Sequence, residues 1–111
     1  MIMTKVELFD KDLQDTALIF KALGHPARLA ILRYLAETKV CISGDISNEL
    51  PLSRTTISQH LKELKDVGLI KGEIEGVKVN YCLNAEEINQ VKEILEKFLS
   101  DIICYDDLDC K

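Results

Sequence analysis

The sequence lacks the features that would assign it to a membrane, a secretory pathway or an enzyme class. None of its apolar runs approaches the roughly 20 residues that a membrane-spanning helix needs. No signal-peptide pattern stands at the N-terminus, and no Ser/His/Asp arrangement, phosphate-binding loop or pair of catalytic carboxylates stands out. We therefore expect a cytoplasmic protein that is not an enzyme and has no membrane partner.

The sequence also lacks the regular cysteine spacing of a disulfide framework. Its four cysteines are Cys41, Cys82, Cys104 and Cys110. Cytoplasmic proteins keep most of their cysteines reduced. We therefore expect thiols at these positions rather than structural disulfides.

A surplus of positive charge is missing as well. The formal net charge is −5, which argues against a nucleic-acid partner if it is taken for the whole chain. However, residues 84–111 hold eight acidic and three basic residues, whereas residues 1–83 hold eleven of each. Residues 53–72 carry a local excess of positive charge. The sequence therefore allows DNA binding, but only weak binding outside a specific DNA sequence.

The length indicates one domain, residues 1–111, with a short acidic tail at 104–111. Two helices are predicted first. The first, residues 10–23, has an apolar stripe made of Leu13, Ala17 and Phe20. The second, about 26–38, begins at Pro26 and has a broad apolar face made of Ala27, Ala30, Ile31, Tyr34 and Leu35.

Two polar residues near the start of the second helix have open roles. His25 precedes the helix, where a lone histidine is more often structural than a ligand. Arg28 either reaches a DNA phosphate or pairs with a nearby carboxylate, and the sequence does not decide between these roles.

A helix-turn-helix unit is predicted next. Residues 43–50 form a short third helix with Ser43 as its N-cap, and a turn at Pro51 leads to a fourth helix that ends at Gly68. The fourth helix has an apolar stripe made of Ile57, Leu61 and Leu64. Ser53 is its natural N-cap.

The other face of the fourth helix carries hydroxyl, amide and cationic side chains, which suit the reading of base edges and phosphates in a major groove. An ordinary solvated face is the alternative. With Lys78 from the following hairpin, the candidate DNA contacts are Ser53, Arg54, Thr55, Thr56, Ser58, Gln59, His60, Lys62 and Lys78.

After Gly68 the hydrophobic period changes from 3.6 to 2. Residues 70–83 therefore predict a β-hairpin that turns at Glu75 and Gly76. A hairpin directly after a helix-turn-helix unit makes a winged helix. The expected fold is mainly α with a small β-hairpin, in the order α-α-α-α-β-β-α.

The last helix begins with a capping box formed by Asn84 and Glu87. Its long apolar stripe is made of Ile88, Val91, Leu95, Phe98, Leu99, Ile102 and Ile103. One small domain has too little surface to cover such a stripe, so we expect a homodimer that forms through the first and last helices. Two-fold symmetry then predicts a palindromic operator on double-stranded DNA.

Two segments resemble the ArsR/SmtB family of metalloregulatory repressors. Residues 22–32 (ALGHPARLAIL) are similar to the family's second-helix signature, and residues 52–70 are similar to its recognition helix. Glu75, Gly76 and Tyr81 match its wing. The recognition-helix matches are Thr55, Ser58, His60, Leu61, Leu64, Gly68, Leu69 and Ile70. The resemblance implies a dimeric winged-helix repressor that leaves its operator when an inducer binds.

The resemblance also indicates which inducers can be compared with this sequence. No histidine follows His60, so the zinc or cobalt site that this family builds on its last helix is missing. The family's arsenic and cadmium sensors carry two cysteines where this chain has Cys41 and Ser43. Trivalent arsenic prefers three soft sulfur ligands. The site would therefore be completed by thiols of the C-terminal tail, giving Cys41, Cys104 and Cys110.

Other inducers remain open. A divalent soft metal such as cadmium or zinc would suit the tail cysteines and aspartates. Thiol oxidation would join Cys41 to Cys104, or Cys104 to Cys110. Cys82 is a weaker candidate for any of these roles, and no cofactor is expected to be needed for folding. A winged helix that contacts only other proteins is the remaining alternative.

Overall fold

The computed structural model describes residues 5–38, 41–43, 50–73 and 80–103. A single 3-10 turn, Lys5–Leu8, precedes the regular elements of these ranges. The helices are α1 (Lys11–Leu23), α2 (Pro26–Thr38), α3 (Arg54–Asp66) and α4 (Ala85–Ile102). The strands are β1 (Ile42–Ser43), β2 (Ile70–Glu73) and β3 (Asn80–Leu83). The expected class, mainly α with a small β-hairpin, is confirmed.

Several sequence predictions lie outside the described residues: the body of the third helix at 44–49, the hairpin turn, Lys78, and the tail with Cys104 and Cys110. The helix that Ser43 is predicted to cap therefore also lies outside the described residues. Ser43 belongs to β1 and pairs with Asn80 of β3. This pairing places the backbone of Ser43 beside a neighbouring strand, where backbone N–H and C=O groups find hydrogen-bond partners.

The three strands form an antiparallel sheet in the order β1-β3-β2. In the hairpin, Ile70 is opposite Leu83 and Gly72 is opposite Tyr81. Gly72 has φ +121°, and a Cβ at this position would overlap the carbonyl oxygen of Asn80. Only glycine therefore fits this close approach of two strands without strain.

The core lies where α3, α2 and the sheet meet. Its most completely buried large side chains are Tyr81, Ile31, Leu35, Leu64 and Ile70. The apolar stripes predicted on α2 and α3 supply most of this core, since Ala27, Ile57 and Leu61 are also buried. At about 25 cal/mol per Å² of apolar surface, this burial is the main stabilising contribution to the fold.

On α1, the residues that are buried in the domain differ from those of the predicted apolar stripe. Leu13 and Phe20 are 47% and 41% exposed, and the buried residues are Thr16, Ile19 and Ala22. Thr16 tolerates burial because its Oγ1 donates a hydrogen bond of 2.8 Å to the carbonyl oxygen of Asp12. The face of α1 that carries Phe20 instead reaches α4, where the rings of Phe20 and Phe98 pack edge to face, 5.7 Å between centroids.

The predicted helix ends of the DNA-reading unit and of α4 are confirmed. Ser53 caps α3, and Asn84 caps α4 by accepting a hydrogen bond from the backbone N–H of Glu87. At the other end of α3, Gly68 has φ +84°. The N–H groups of Gly68 and Leu69 donate to the carbonyl oxygens of Lys65 and Leu64, which is the hydrogen-bond pattern of a Schellman C-cap.

Among the four α-helices of the described residues, α4 is the least covered. Only Val91 of its 18 residues is buried, and Leu99, Ile102 and the following Ile103 are more than half exposed. No helix in the described part of the chain is long and apolar enough to span a membrane.

Candidate nucleic-acid interface

The position of α3 is set by its buried side. Ile57, Leu61 and Leu64 are at most 3% exposed and pack into the core. Because residues on opposite faces of a helix are separated by half a turn, this packing turns the polar face outward. The outward side chains of the predicted set are Ser53, Arg54, Thr55, Ser58, Gln59 and Lys62.

Two members of the predicted set also hold the helix end together. The Oγ of Ser53 accepts a hydrogen bond from the backbone N–H of Thr56, at 3.3 Å, and donates to the Oγ1 of Thr56, at 2.9 Å. Thr56 is half-buried. These hydroxyls therefore shape the N-terminus of α3, whose positive dipole end favours a negatively charged group.

His60 differs from the exposed members of the predicted set. It is 8% exposed, on the side of α3 that faces α2. The Nε of Arg28 donates a hydrogen bond of 3.1 Å to the Nδ1 of His60. The ring of His25 lies 4.4 Å from that of His60, measured between centroids.

In this structure Arg28 bonds to His60 and to two backbone carbonyl oxygens. Besides its bond to His60, its Nη1 donates to the carbonyl oxygens of Lys21 and Ala22, at 3.0 and 3.3 Å. One guanidinium group thus joins the end of α1, the start of α2 and the recognition helix. Carbonyl oxygens at a helix C-terminus carry partial negative charge, which favours a cation there.

The protonation state of His60 matters for this junction. Burial lowers the pKa of His60, and the neighbouring His25 and Arg28 lower it further, while Glu63 opposes them. A neutral imidazole can present Nδ1 as an acceptor, whereas an imidazolium cannot. The structure therefore favours the form of His60 that accepts the Arg28 hydrogen bond.

His25 has the structural role that the sequence favours. Its Nδ1 accepts a hydrogen bond of 3.0 Å from the backbone N–H of Ala27, at the first turn of α2. This bond satisfies one of the donors that every helix start leaves without an internal partner.

The cysteines depart from the prediction of separate thiols. Cys41 and Cys82 form a disulfide, with their Cα atoms 4.3 Å apart. Cys41 is exposed and Cys82 is half-buried. In the part of the chain that the structure describes, no group of three His, Cys, Asp or Glu side chains is arranged to hold a metal ion. The proposed ligands Cys104 and Cys110 lie outside that part.

Sequence reasoning missed the Arg28–His60 contact and the Cys41–Cys82 pair. For Cys82 one signal was available, because strand alternation places it on the face of the hairpin opposite to Tyr81. No signal was available for its partner, since β1 is only two residues long.

The chain resembles known DNA-binding regulators in sequence and in structure. A family model described as a helix-turn-helix domain matches residues 23–73. The chain is 36% identical over 90 residues to the cadmium resistance transcriptional regulatory protein CadC homolog of Staphylococcus aureus, covering 80% of this chain and 74% of that protein. An ArsR-like transcriptional regulator from Rhodococcus sp. RHA1 has a similar solved structure, with a TM-score of 0.61 and 27% identity, covering 78% of this chain and 81% of that one. The chain belongs to the ArsR/SmtB family.

As an ArsR/SmtB regulator, the chain is a winged-helix protein and not an enzyme. A further relative is the HTH-type transcriptional regulator YgaV of Escherichia coli K12, 29% identical over 80% of this chain and 90% of that protein. The helix α3 lies within the segment that resembles the family's recognition helix, and the hairpin of β2 and β3 corresponds to its wing.

Proposed function

We propose that the protein is a cytoplasmic transcriptional repressor that binds a palindromic operator as a homodimer. The observation that carries this proposal is the exposed polar face of α3, above a stripe that is almost completely buried. Thr55, Ser58, Gln59 and Lys62 offer hydrogen-bond donors and acceptors and one cation. A rigidly seated helix presents such groups to a major groove at fixed positions.

The homodimer is supported by α4. Leu99 and Ile102 are 53% and 61% exposed, and Leu13 of the neighbouring α1 is 47% exposed. A second copy that covers these side chains would be related by a two-fold axis. The two recognition helices would then enter successive major grooves about 34 Å apart, so the operator would be a palindrome.

The reading face is tested with Gln59→Ala and Lys62→Ala, combined in one variant. DNA from upstream of the protein's own coding region serves as the probe, with fluorescence anisotropy as the readout. A bidentate base contact contributes about 1–3 kcal/mol of discrimination, so we expect roughly a hundredfold loss of specific affinity. Circular dichroism should show unchanged helicity, because both side chains are exposed.

Lys92→Ala is the matched control, since it removes one positive charge from an exposed position on α4. Its operator affinity should stay close to that of the wild type. Full affinity in the Gln59/Lys62 variant would contradict this assignment of the reading face. A wild type that binds no duplex specifically would instead support a winged helix that contacts only proteins.

For the inducer, we propose trivalent arsenic, bound by Cys41, Cys104 and Cys110. Three sulfur ligands match the preference of this soft ion, and a tail of this length can close around one ion at modest entropic cost. A divalent soft metal, cadmium or zinc, is the alternative with the same thiols and the tail aspartates. The CadC homolog is named for cadmium resistance, which supports including cadmium among the tested ions.

Thiol oxidation is a second candidate signal, and one specific observation favours it. Cys41 is bonded to Cys82, so one of the three proposed arsenic ligands is not a free thiol in this structure. Arsenic binding and oxidation therefore compete for Cys41.

The inducers are separated by titrating the protein–operator complex with arsenite, cadmium, zinc and hydrogen peroxide. The wild type and single Cys→Ser variants are compared. Arsenite release that disappears in Cys104→Ser and Cys110→Ser supports the arsenic site. Arsenite release that persists in both variants removes the tail from that site.

A further inference from the structure

We propose that Cys41 and Cys82 form a reversible regulatory disulfide, with Cys82 as the partner thiol of Cys41 and a peroxide as the oxidant. This inference rests on the proposed operator binding and names the site of its thiol-oxidation alternative. It assigns to Cys82 a function that neither strand alternation nor family membership indicates.

The first support is the strand register. Ile42 is opposite Tyr81 and Ser43 is opposite Asn80 in the antiparallel pair of β1 and β3. The next position along the same register sets Cys41 opposite Cys82. Directly opposed residues of antiparallel strands lie about 4.5–5.5 Å apart, and the observed Cα separation is 4.3 Å. The fold itself therefore brings the two sulfurs together, without any movement of a remote segment.

The second support is accessibility and charge. Cys41 is exposed at the edge of the sheet, where a small oxidant can reach it. On the other side of β3, Lys71 is opposite Cys82. Cross-strand neighbours share one face of a sheet, so Lys71, Cys82 and Cys41 form a row across its outer face. The ammonium group attracts an anion at the adjacent sulfur, and the thiolate is the reactive form of cysteine.

The chemistry is a two-electron oxidation of the two thiols by hydrogen peroxide. The Cys41 thiolate attacks one peroxide oxygen and the O–O bond breaks, which gives a sulfenic acid at Cys41 and one molecule of water after proton uptake. The Cys82 thiolate then attacks the sulfenic sulfur. The S–S bond forms, the S–O bond breaks, and the hydroxide leaves as a second water. A dithiol reductant reverses the reaction.

The location of the bond connects it to DNA binding. The two cysteines are 41 residues apart in sequence, and the loop that they close contains α3, β2 and most of β3. Two unbonded thiols must lie farther apart than two bonded sulfurs. Oxidation therefore cross-links β1 to β3, the strand that also pairs with β2 in the wing, and restrains the wing relative to the rest of the domain.

Whether oxidation raises or lowers operator affinity follows from the reducing conditions of the cytoplasm. A regulator that works beside cytoplasmic DNA has reduced thiols at rest, and disulfides there are mostly transient or redox-sensing. The reduced form is therefore the one that fits the operator. We expect oxidation to weaken operator binding by at least about tenfold, a common size for coupling between two sites.

The test uses full-length protein, reduced and then treated with hydrogen peroxide, and the upstream DNA duplex described above. Non-reducing peptide mapping by mass spectrometry identifies the linked cysteines. Anisotropy gives operator affinity before oxidation, after oxidation and after dithiothreitol. A double variant, Cys104→Ser with Cys110→Ser, leaves only Cys41 and Cys82 as thiols. It should still form the Cys41–Cys82 bond and lose affinity reversibly.

Cys82→Ser should bind the operator when reduced and keep that affinity after peroxide. Cys41→Ser, at an exposed position, repeats the test if the serine at the half-buried Cys82 lowers the folded fraction. A peptide map that links Cys41 to Cys104 or Cys110 would overturn the proposal, as would oxidative release that persists in Cys82→Ser. A failure of operator binding itself is distinguishable, because the reduced wild type would then show no specific affinity.

Discussion

The helices α3 and α4 are both amphipathic, yet the rest of the chain covers the apolar stripe of only one of them. In α3 the apolar stripe is fully covered, with Leu64 at 0% exposure. In α4 only Val91 is buried, and exposure rises to 61% at Ile102. The difference shows that an apolar stripe predicts a contact but not which molecule provides it. For α3 the contact is the rest of this domain; for α4 we propose a second copy.

The largest effect is expected from removing part of the covered stripe. Leu64→Ala deletes side-chain volume at a position with no solvent exposure. Such a cavity costs about 2–5 kcal/mol, so we expect the free energy of unfolding to fall by that amount. Urea denaturation followed by circular dichroism measures the change.

Leu99→Ala is the matched control for this prediction, because it makes the same substitution on the uncovered stripe. At protein concentrations where the chain is monomeric, it should cost less than about 1 kcal/mol. Equal losses of unfolding free energy in the two variants would mean that the apolar stripe of α4 is already covered within one chain.

The second prediction concerns that uncovered stripe. Leu99→Lys with Ile102→Lys sets two cations on the surface through which we expect α4 to dimerise. Buried unpaired charges are unfavourable at an interface. The dissociation constant of the dimer should therefore rise by roughly a hundredfold or more, about 2.7 kcal/mol. Sedimentation velocity over a concentration series gives the dissociation constant.

Leu29→Lys controls for the added charge, since Leu29 is 52% exposed on α2. It should leave the association unchanged. If the variant with lysine at 99 and 102 stayed dimeric, the interface would lie on another face.

The same comparison explains how far the sequence predicted this structure. The caps and stripe of α3 depend on contacts between residues three to five positions apart, so periodicity and N-cap preference predicted them. The Arg28–His60 bond joins residues 32 positions apart, and the Cys41–Cys82 pair depends on a two-residue strand. Local patterns carry no information about such contacts.

The apolar stripe of α1 likewise did not reveal which residues of that helix are buried in the domain. Leu13 and Phe20 have the more apolar side chains, but Thr16 is the residue buried against the domain. Its hydroxyl is satisfied by the carbonyl of its own helix, which removes most of the cost of burial. This bond allows Thr16 to be buried beside Ile19 and Ala22, and composition does not reveal it.

The third prediction separates stability from DNA contact at the start of α3. Ser53→Ala removes the acceptor for the backbone N–H of Thr56 and should cost about 1 kcal/mol of stability. Ser53→Asp keeps an acceptor at the N-cap and should retain stability, because a carboxylate is favourable at a helix N-terminus. Its negative charge should nevertheless weaken operator binding if this end of α3 faces phosphates. Thermal unfolding and anisotropy measure the two effects, and a stable Asp variant with full affinity would remove Ser53 from the DNA-facing set.

The smallest expected effect concerns the one buried histidine of α3. Burial, His25 and Arg28 lower the pKa of His60 in the folded state. Near pH 6.5, the ordinary pKa of a histidine, the unfolded chain therefore takes up a proton that the native protein does not. Stability therefore falls as the pH drops below that value, until the native His60 is protonated as well. His60→Asn keeps an acceptor for Arg28 but does not titrate, so its stability should depend less on pH in this window. His25→Asn, which keeps a helix-capping acceptor, should retain part of the dependence, because burial, the largest cause of the shift, and Arg28 remain. Urea denaturation at a series of pH values measures both, and an unchanged slope in His60→Asn would assign the titration to another group.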